Sequence, residues 1–192
     1  YLDRAEAALL RIDGALPATL EAERMHLRAN VLMRQQRFAE AARLLNGWDG
    51  PAIWTAYARF NLGVAFVRDG QLEQAVPFLT QVGTLETERG ELLALRDRAN
   101  LALGFAWLQA EQPAKAKEAL QRVRLNGPFS SRALLGAGWA DAQLGDFRAA
   151  LTPWLELRER SLLDAAVQES FLAVPYAFAK LDATSQAVEY YE

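Results

Sequence analysis

Between Asn61 and Val82 two small residues, Gly63 and Ala75, stand twelve apart across an Asp69-Gly70 pair, with large apolar residues flanking both. Two closely packed antiparallel helices need a small residue on each where they meet, bulky neighbours around it and a tight turn between. The stretch therefore predicts a helical hairpin. A hairpin of this kind has to bury its apolar face against neighbouring hairpins, so the rest of the chain is expected to repeat it.

Repetition is visible in the residues. The place of Ala75 is taken again by Ala5, Ala41, Ala116, Ala150 and Ala187, at successive spacings of 36, 34, 41, 34 and 37 residues. The place of Gly63 is taken by Ala29, Gly104, Gly138 and Pro175. Leu62-Gly63, Phe66, Gly70, Ala75 and Leu79 fall on the Leu-Gly, aromatic, turn-glycine, alanine and bulky positions of the tetratricopeptide repeat (TPR) family, whose period is about 34 residues. The chain resembles that family, in a bacterial member. The resemblance implies an all-α fold, an α-solenoid of antiparallel helix-turn-helix repeats forming a right-handed superhelix. It also implies one domain over 1–192, of about five repeats with half-repeats at both ends.

In order, residues 1–14 read as the second helix of a repeat, with Leu9 and Ile12 at bulky positions and Pro17 as its stop. A helix from Thr19 to Gln35 turns at Gln36-Arg37 into a second from Phe38 to Asn46. Gly47 and Gly50 then break the chain before Pro51, which suits the first turn of a helix because its missing N–H is not needed there. The central hairpin occupies 52–82. The 41-residue spacing places an insertion of about seven residues within 83–98, and the Glu, Leu and Arg content of Thr84 to Arg98 predicts extra helical turns there. Leu103-Gly104, Trp107, Pro113, Ala116, Leu120 and Val123 restore the pattern, and Asn126-Gly127-Pro128 closes it. Gly138, Gly145-Asp146-Phe147, Ala150, Trp154 and Leu157 form the next repeat, and Phe178, Asp182-Ala183, Ala187 and Tyr191 the last. Pro77, Pro153 and Pro175 fall inside predicted helices, where each removes a donor and crowds the preceding turn, so local kinks are expected.

Composition narrows the function. A hydrophobic content of 52% with 23% charged residues excludes a disordered chain, and a net charge of -3 offers no basic footprint for nucleic acid. No stretch is apolar for long enough to span a bilayer. There is no cysteine, so disulfides and thiolate metal sites are excluded, and His26 is the single histidine on which a metal site or a Ser-His-Asp triad would have to rest. The chain opens on Tyr1 with the helical pattern already running, which reads as a fragment or a processed form. With 18 arginines against 3 lysines and abundant alanine, the composition points to a GC-rich bacterial genome. The compartment reading leans to the bacterial cell envelope or periplasm over the cytoplasm.

In the TPR family the first helix of each repeat lines the groove. The groove position directly after the Leu-Gly pair is held here by Asn30, Val64, Phe105, Trp139 and Tyr176, and the one four residues earlier by His26, Phe60, Leu101, Leu135 and Leu172. The resemblance thus implies a partner-binding concave face with Phe60, Val64, Arg98, Phe105, Trp139 and Tyr176 on it, apolar and aromatic toward the C-terminus. Exposed aromatics are typical anchors, because a rigid side chain gains burial at small entropic cost. The family's carboxylate clamp would fall on His26, Asn30, Asn61, Arg98 and Ala102. Ala102 cannot hold an anion and a neutral His26 adds no charge, so a clamp here would be weak; the asparagines could instead bond within or between helices.

Catalysis is not expected. Glu86, Glu88 and Glu91, and Glu156 with Glu159, are interleaved with Arg89, Arg96, Arg158 and Arg160, and read as an ion-paired solvated face. Gly136-Ala-Gly138 lies in a predicted helix with no following glycine or lysine at phosphate-loop spacing. No cofactor and no metal are expected. The expectation is a scaffold or adaptor that binds a partner protein or peptide and contributes no chemistry. The alternative is a structural module, either self-associating into a homo-oligomer or serving as the helical arm of a larger protein.

Overall fold

The computed structural model describes residues 1–45, 48 and 50–191. Among them are eleven helices and no strand: α1 (Leu2–Leu10), α2 (Ala18–Arg34), α3 (Phe38–Leu45), α4 (Ala52–Arg68), α5 (Leu72–Gly83), α6 (Gly90–Gln109), α7 (Pro113–Gln121), α8 (Ser130–Gln143), α9 (Phe147–Arg158), α10 (Ala165–Lys180) and α11 (Thr184–Tyr191). The fold is all-α and built from helical hairpins, as the repeat pattern predicts. Two compact units divide it, Tyr1–Ala99 and Asn100–Glu192, so α6 belongs to the first up to Ala99 and to the second from Asn100. The expected ends of structure at Asn46 and Gly47 lie outside the described residues.

Every turn inside a hairpin is built the same way. Gln36, Gly70, Glu111, Gly145 and Asp182 have φ values of 60, 74, 55, 81 and 57°. In each case the following N–H (of Arg37, Gln71, Gln112, Asp146 or Ala183) donates to a carbonyl of the last helical turn (Leu32, Phe66, Trp107, Asp141 or Phe178) at 2.9–3.0 Å. This is the Schellman cap, which satisfies carbonyls the helix end would leave bare. Gly70 and Gly145 adopt its left-handed residue freely, whereas Gln36, Glu111 and Asp182 crowd their own backbone. Glu111→Gly is therefore expected to stabilise the second unit by about 0.5–1 kcal/mol, the relief being partly offset by the entropy glycine gains on unfolding. A urea midpoint that stays put or falls would contradict that cost.

The small residue before each turn explains how closely the helices approach. A Cβ on Gly63 would lie 2.5 Å from Leu79 Cγ, and one on Gly104 or Gly138 would press still closer on Leu120 or Trp154. Ala41, Ala75, Ala116 and Ala150 are fully buried and Ala187 nearly so. Ala5 departs from the series. It is exposed, α1 ends at Leu10, and Ile12 lies beyond the helix at 39% exposure, so neither packs as the register predicts.

Two further expectations are corrected by local chemistry. Leu85 to Arg89 carries no helix, so the extra turns begin only at Gly90; α6 runs for 20 residues against 17 for α2 and α4. The Arg89 N–H donates to the Thr87 hydroxyl at 3.1 Å, a side-chain bond that competes with helix and that Glu, Leu and Arg content does not foretell. Pro51 is the cap of α4, in extended backbone, not its first helical residue. Pro77, Pro153 and Pro175 do lie inside α5, α9 and α10. Pro113 opens α7, where its missing donor costs nothing.

The second unit has a continuous core, with Trp154, Leu157, Val167, Val174 and Ala177 fully buried around α8, α9 and α10. Asp146 and Asp164 cap α9 and α10 by accepting from the N–H groups of Ala149 and Ala166, both at 2.9 Å. Asp141 stands where the repeat carries an aromatic residue. It is buried, and Lys117 of α7 donates to it at 2.5 Å, which makes its burial tolerable.

Candidate functional site

In the second unit the aromatic residues singled out on the first helices sit on a firm base. The Trp154 ring is fully buried, and its N–H donates to the Leu135 carbonyl at 3.1 Å. Trp139 stands edge-on against it with ring centres 4.9 Å apart, and its own N–H donates to the Glu169 carboxylate at 2.8 Å. Tyr176 follows at 6.1 Å from Trp139 and at 5.8 Å from Phe147, with the Lys180 ammonium 5.6 Å above its ring. Trp139 is half-buried and Tyr176 is 38% exposed. The result is an ordered, partly exposed aromatic patch, with an acid and a base already beside its rings.

Phe105 is half-buried, with the Arg132 guanidinium 5.7 Å from its ring centre. The positions four residues earlier on these helices are less uniform than the groove pattern implies. Leu101 and Leu135 are core, whereas Leu172 is 66% exposed. Leu135 belongs to the cluster around Trp154, so its place is taken by the hairpin's own packing.

In the first unit Asn30, Phe60, Asn61, Val64 and Arg98 line one groove of about 910 Å³. Phe60 is at most a minor part of its surface: it is 7% exposed and lies beneath the Arg98 guanidinium, 4.8 Å from it. Val64 is half-buried. The asparagines are joined, because the Asn61 amide donates to Asn30 Oδ1 at 3.3 Å and the Asn30 amide lies 2.9 Å from His26 Nε2. With Asn30 Oδ1 used as acceptor, its NH₂ is the donor to His26, which puts the imidazole proton on Nδ1. Burial lowers the His26 pKa, and the ring packs 5.4 Å from Trp54. His26 is thus a neutral acceptor at pH 7, and Arg98 is the cation among the four clamp residues.

Several contacts escaped the local pattern. Glu169 and Arg132 each reach an aromatic ring of the predicted face from another helix, whereas Lys180 reaches Tyr176 from one turn further along α10. Arg158, read as an ion-pairing residue, lies instead 4.0 Å from the Phe171 ring centre and 4.8 Å from that of Tyr190. Arg160 does bond Glu156 at 3.3 Å, and also Ser130 at 2.9 Å. Glu91 accepts from the Tyr57 hydroxyl at 2.9 Å, raising the tyrosine pKa through burial first and that bond second.

No protein-family model matches the chain, and no curated protein matches it by sequence. Solved structures do match by fold. A mutant form of MamA superposes with a TM-score of 0.60 at 16% identity, covering 91% of this chain and 96% of that one. A Podosopora anserina protein described as a kinesin light chain with nearly identical TPR-like repeats gives 0.63 at 18% identity, with 93% of each chain covered. These likenesses are of fold, and the fold is that of TPR-like helical repeats. No helix among the described residues is long and apolar enough to cross a membrane.

Proposed function

We propose that the chain is a protein-binding scaffold, which holds a peptide or protein partner on the faces of its first helices and contributes no chemistry. The observation that carries this reading is the Trp139–Tyr176 patch. Trp139 is held by Trp154 behind it and by Glu169 at its N–H, so little side-chain entropy is left to lose on binding. Rigid aromatics with polar groups at their rim are the usual centres of binding energy. The helical-repeat fold supports the reading by analogy only, since stacked repeats expose long faces suited to extended partners. The repeat register running from Ala29 to Ala187 supports treating the chain as one run of repeats.

Affinity capture from the native host's extract tests it, with the parent chain beside a Trp139→Ala, Tyr176→Ala variant and with Tyr176→Ala alone. Helical content is checked for each, because Trp139 also supports Trp154. A partner held by the parent should fall by about tenfold or more on the folded variants, as loss of a central anchor implies. Equal capture by all three chains, or capture of the bait's own copies alone, would refute the reading.

A further inference from the structure

The groove of the first unit has a charge pattern the aromatic patch lacks. Arg34 and Arg68 close α2 and α4 at equivalent places in successive repeats, five residues after Ala29 and Gly63, and both line the groove with Arg98. All three are exposed. Among the described residues none of them pairs with a carboxylate, whereas Arg24 and Arg37 nearby are bonded to Glu21, Glu6 and Glu40. Among the described residues Asp69 is the one carboxylate lining the groove, and one of its two oxygens accepts from the Gln71 amide.

A basic residue near a helix C-terminus is favoured by the helix dipole. That alone does not account for the pattern, because the equivalent places in the following repeats are Gln109, Gln143 and Lys180, so the repeat does not require a basic residue there. Arginine forks left without acid partners around an apolar floor of Leu27, Val31 and Val64 are complementary to carboxylates spaced by apolar side chains.

Resting on the scaffold reading, we infer that this groove takes an acidic segment of the partner protein, its carboxylates on Arg34, Arg68 and Arg98 and its apolar side chains on the floor between them. The probe is a fluorescein-labelled peptide of about ten residues alternating glutamate and leucine, long enough to span about 33 Å when extended. Its anisotropy on titration with the chain is compared with that of a lysine-leucine peptide of equal length and of the Arg34→Glu, Arg68→Glu variant. The glutamate peptide should bind the parent at least about tenfold more tightly than the lysine peptide, weaken as salt rises, and lose about tenfold on the variant. Both substitutions are on exposed side chains, so the variant should keep its helical content. Equal binding of the two peptides, or a folded variant that binds like the parent, overturns the inference. Such a failure with Trp139-dependent capture intact would leave the scaffold reading standing, which separates the two.

Discussion

Trp154→Ala is expected to cost the second unit about 3–5 kcal/mol, as truncation of a large, well-packed aromatic does. Trp154 is fully buried, its N–H is satisfied by the Leu135 carbonyl, and it packs among Leu157, Val174 and Ala177 where three helices meet. The substitution opens a cavity, and although the indole's bond to the Leu135 carbonyl is lost, that carbonyl keeps its partner within α8, so the cavity carries most of the cost. It also removes the support behind Trp139. Urea unfolding followed by circular dichroism checks it; a loss below about 1 kcal/mol would mean the site collapses around alanine and is not close-packed.

The second large effect is at Gly138. Its missing side chain is where the Trp154 indole lies, and the indole is fixed by its bond to Leu135, so Gly138→Ala should destabilise by about 2–3 kcal/mol. The repeats supply the control. Gly63 and Gly104 face leucines, Leu79 and Leu120, and in the first complete repeat Ala29 with Leu45 fills the same two places with both side chains buried. Leu79 and Leu120 as placed would still have to shift, since a Cβ on Gly63 or Gly104 would lie 2.5 or 2.4 Å from them, but a leucine can change rotamer where the hydrogen-bonded indole cannot. Gly138→Ala introduced into a Trp154→Leu background should cost much less than in the parent, giving a coupling of at least about 1 kcal/mol in the double-mutant cycle. Additive effects would show that the indole is not what excludes the side chain.

The hairpin register was legible because its physical requirements are local. A small residue must stand where helices touch, and a left-handed residue must follow each first helix. Gly70 and Gly145 announce the second requirement directly. Gln36, Glu111 and Asp182 meet it with unfavourable residues, and only their place in the period reveals them. The link at Leu85 to Arg89 departs from average helix propensity, and the Thr87 hydroxyl that accepts from the Arg89 N–H within it is a local feature that propensity does not carry.

For the candidate site, sequence found the helices and several of the side chains. It did not find what surrounds them. Trp139 with Glu169 and Phe60 with Arg98 are pairs about one repeat apart, and whether a groove position is open or covered depends on such partners. The same reason explains Leu101 and Leu135, which share a register position with exposed Leu172 yet are core. Arg34 and Arg68 carry no signal in the sequence, because a lone arginine at a helix end is ordinary, and they stand out only where both line one groove.

Binding through the first helices is tested most directly by placing a photo-crosslinking phenylalanine analogue at Tyr176, on a first helix, and separately at Val188, an exposed residue on a second helix. After irradiation in host extract, a covalent adduct with a second protein is expected from the Tyr176 position and not from Val188. Adducts in equal yield from both positions, or adducts only between copies of the chain, would contradict it.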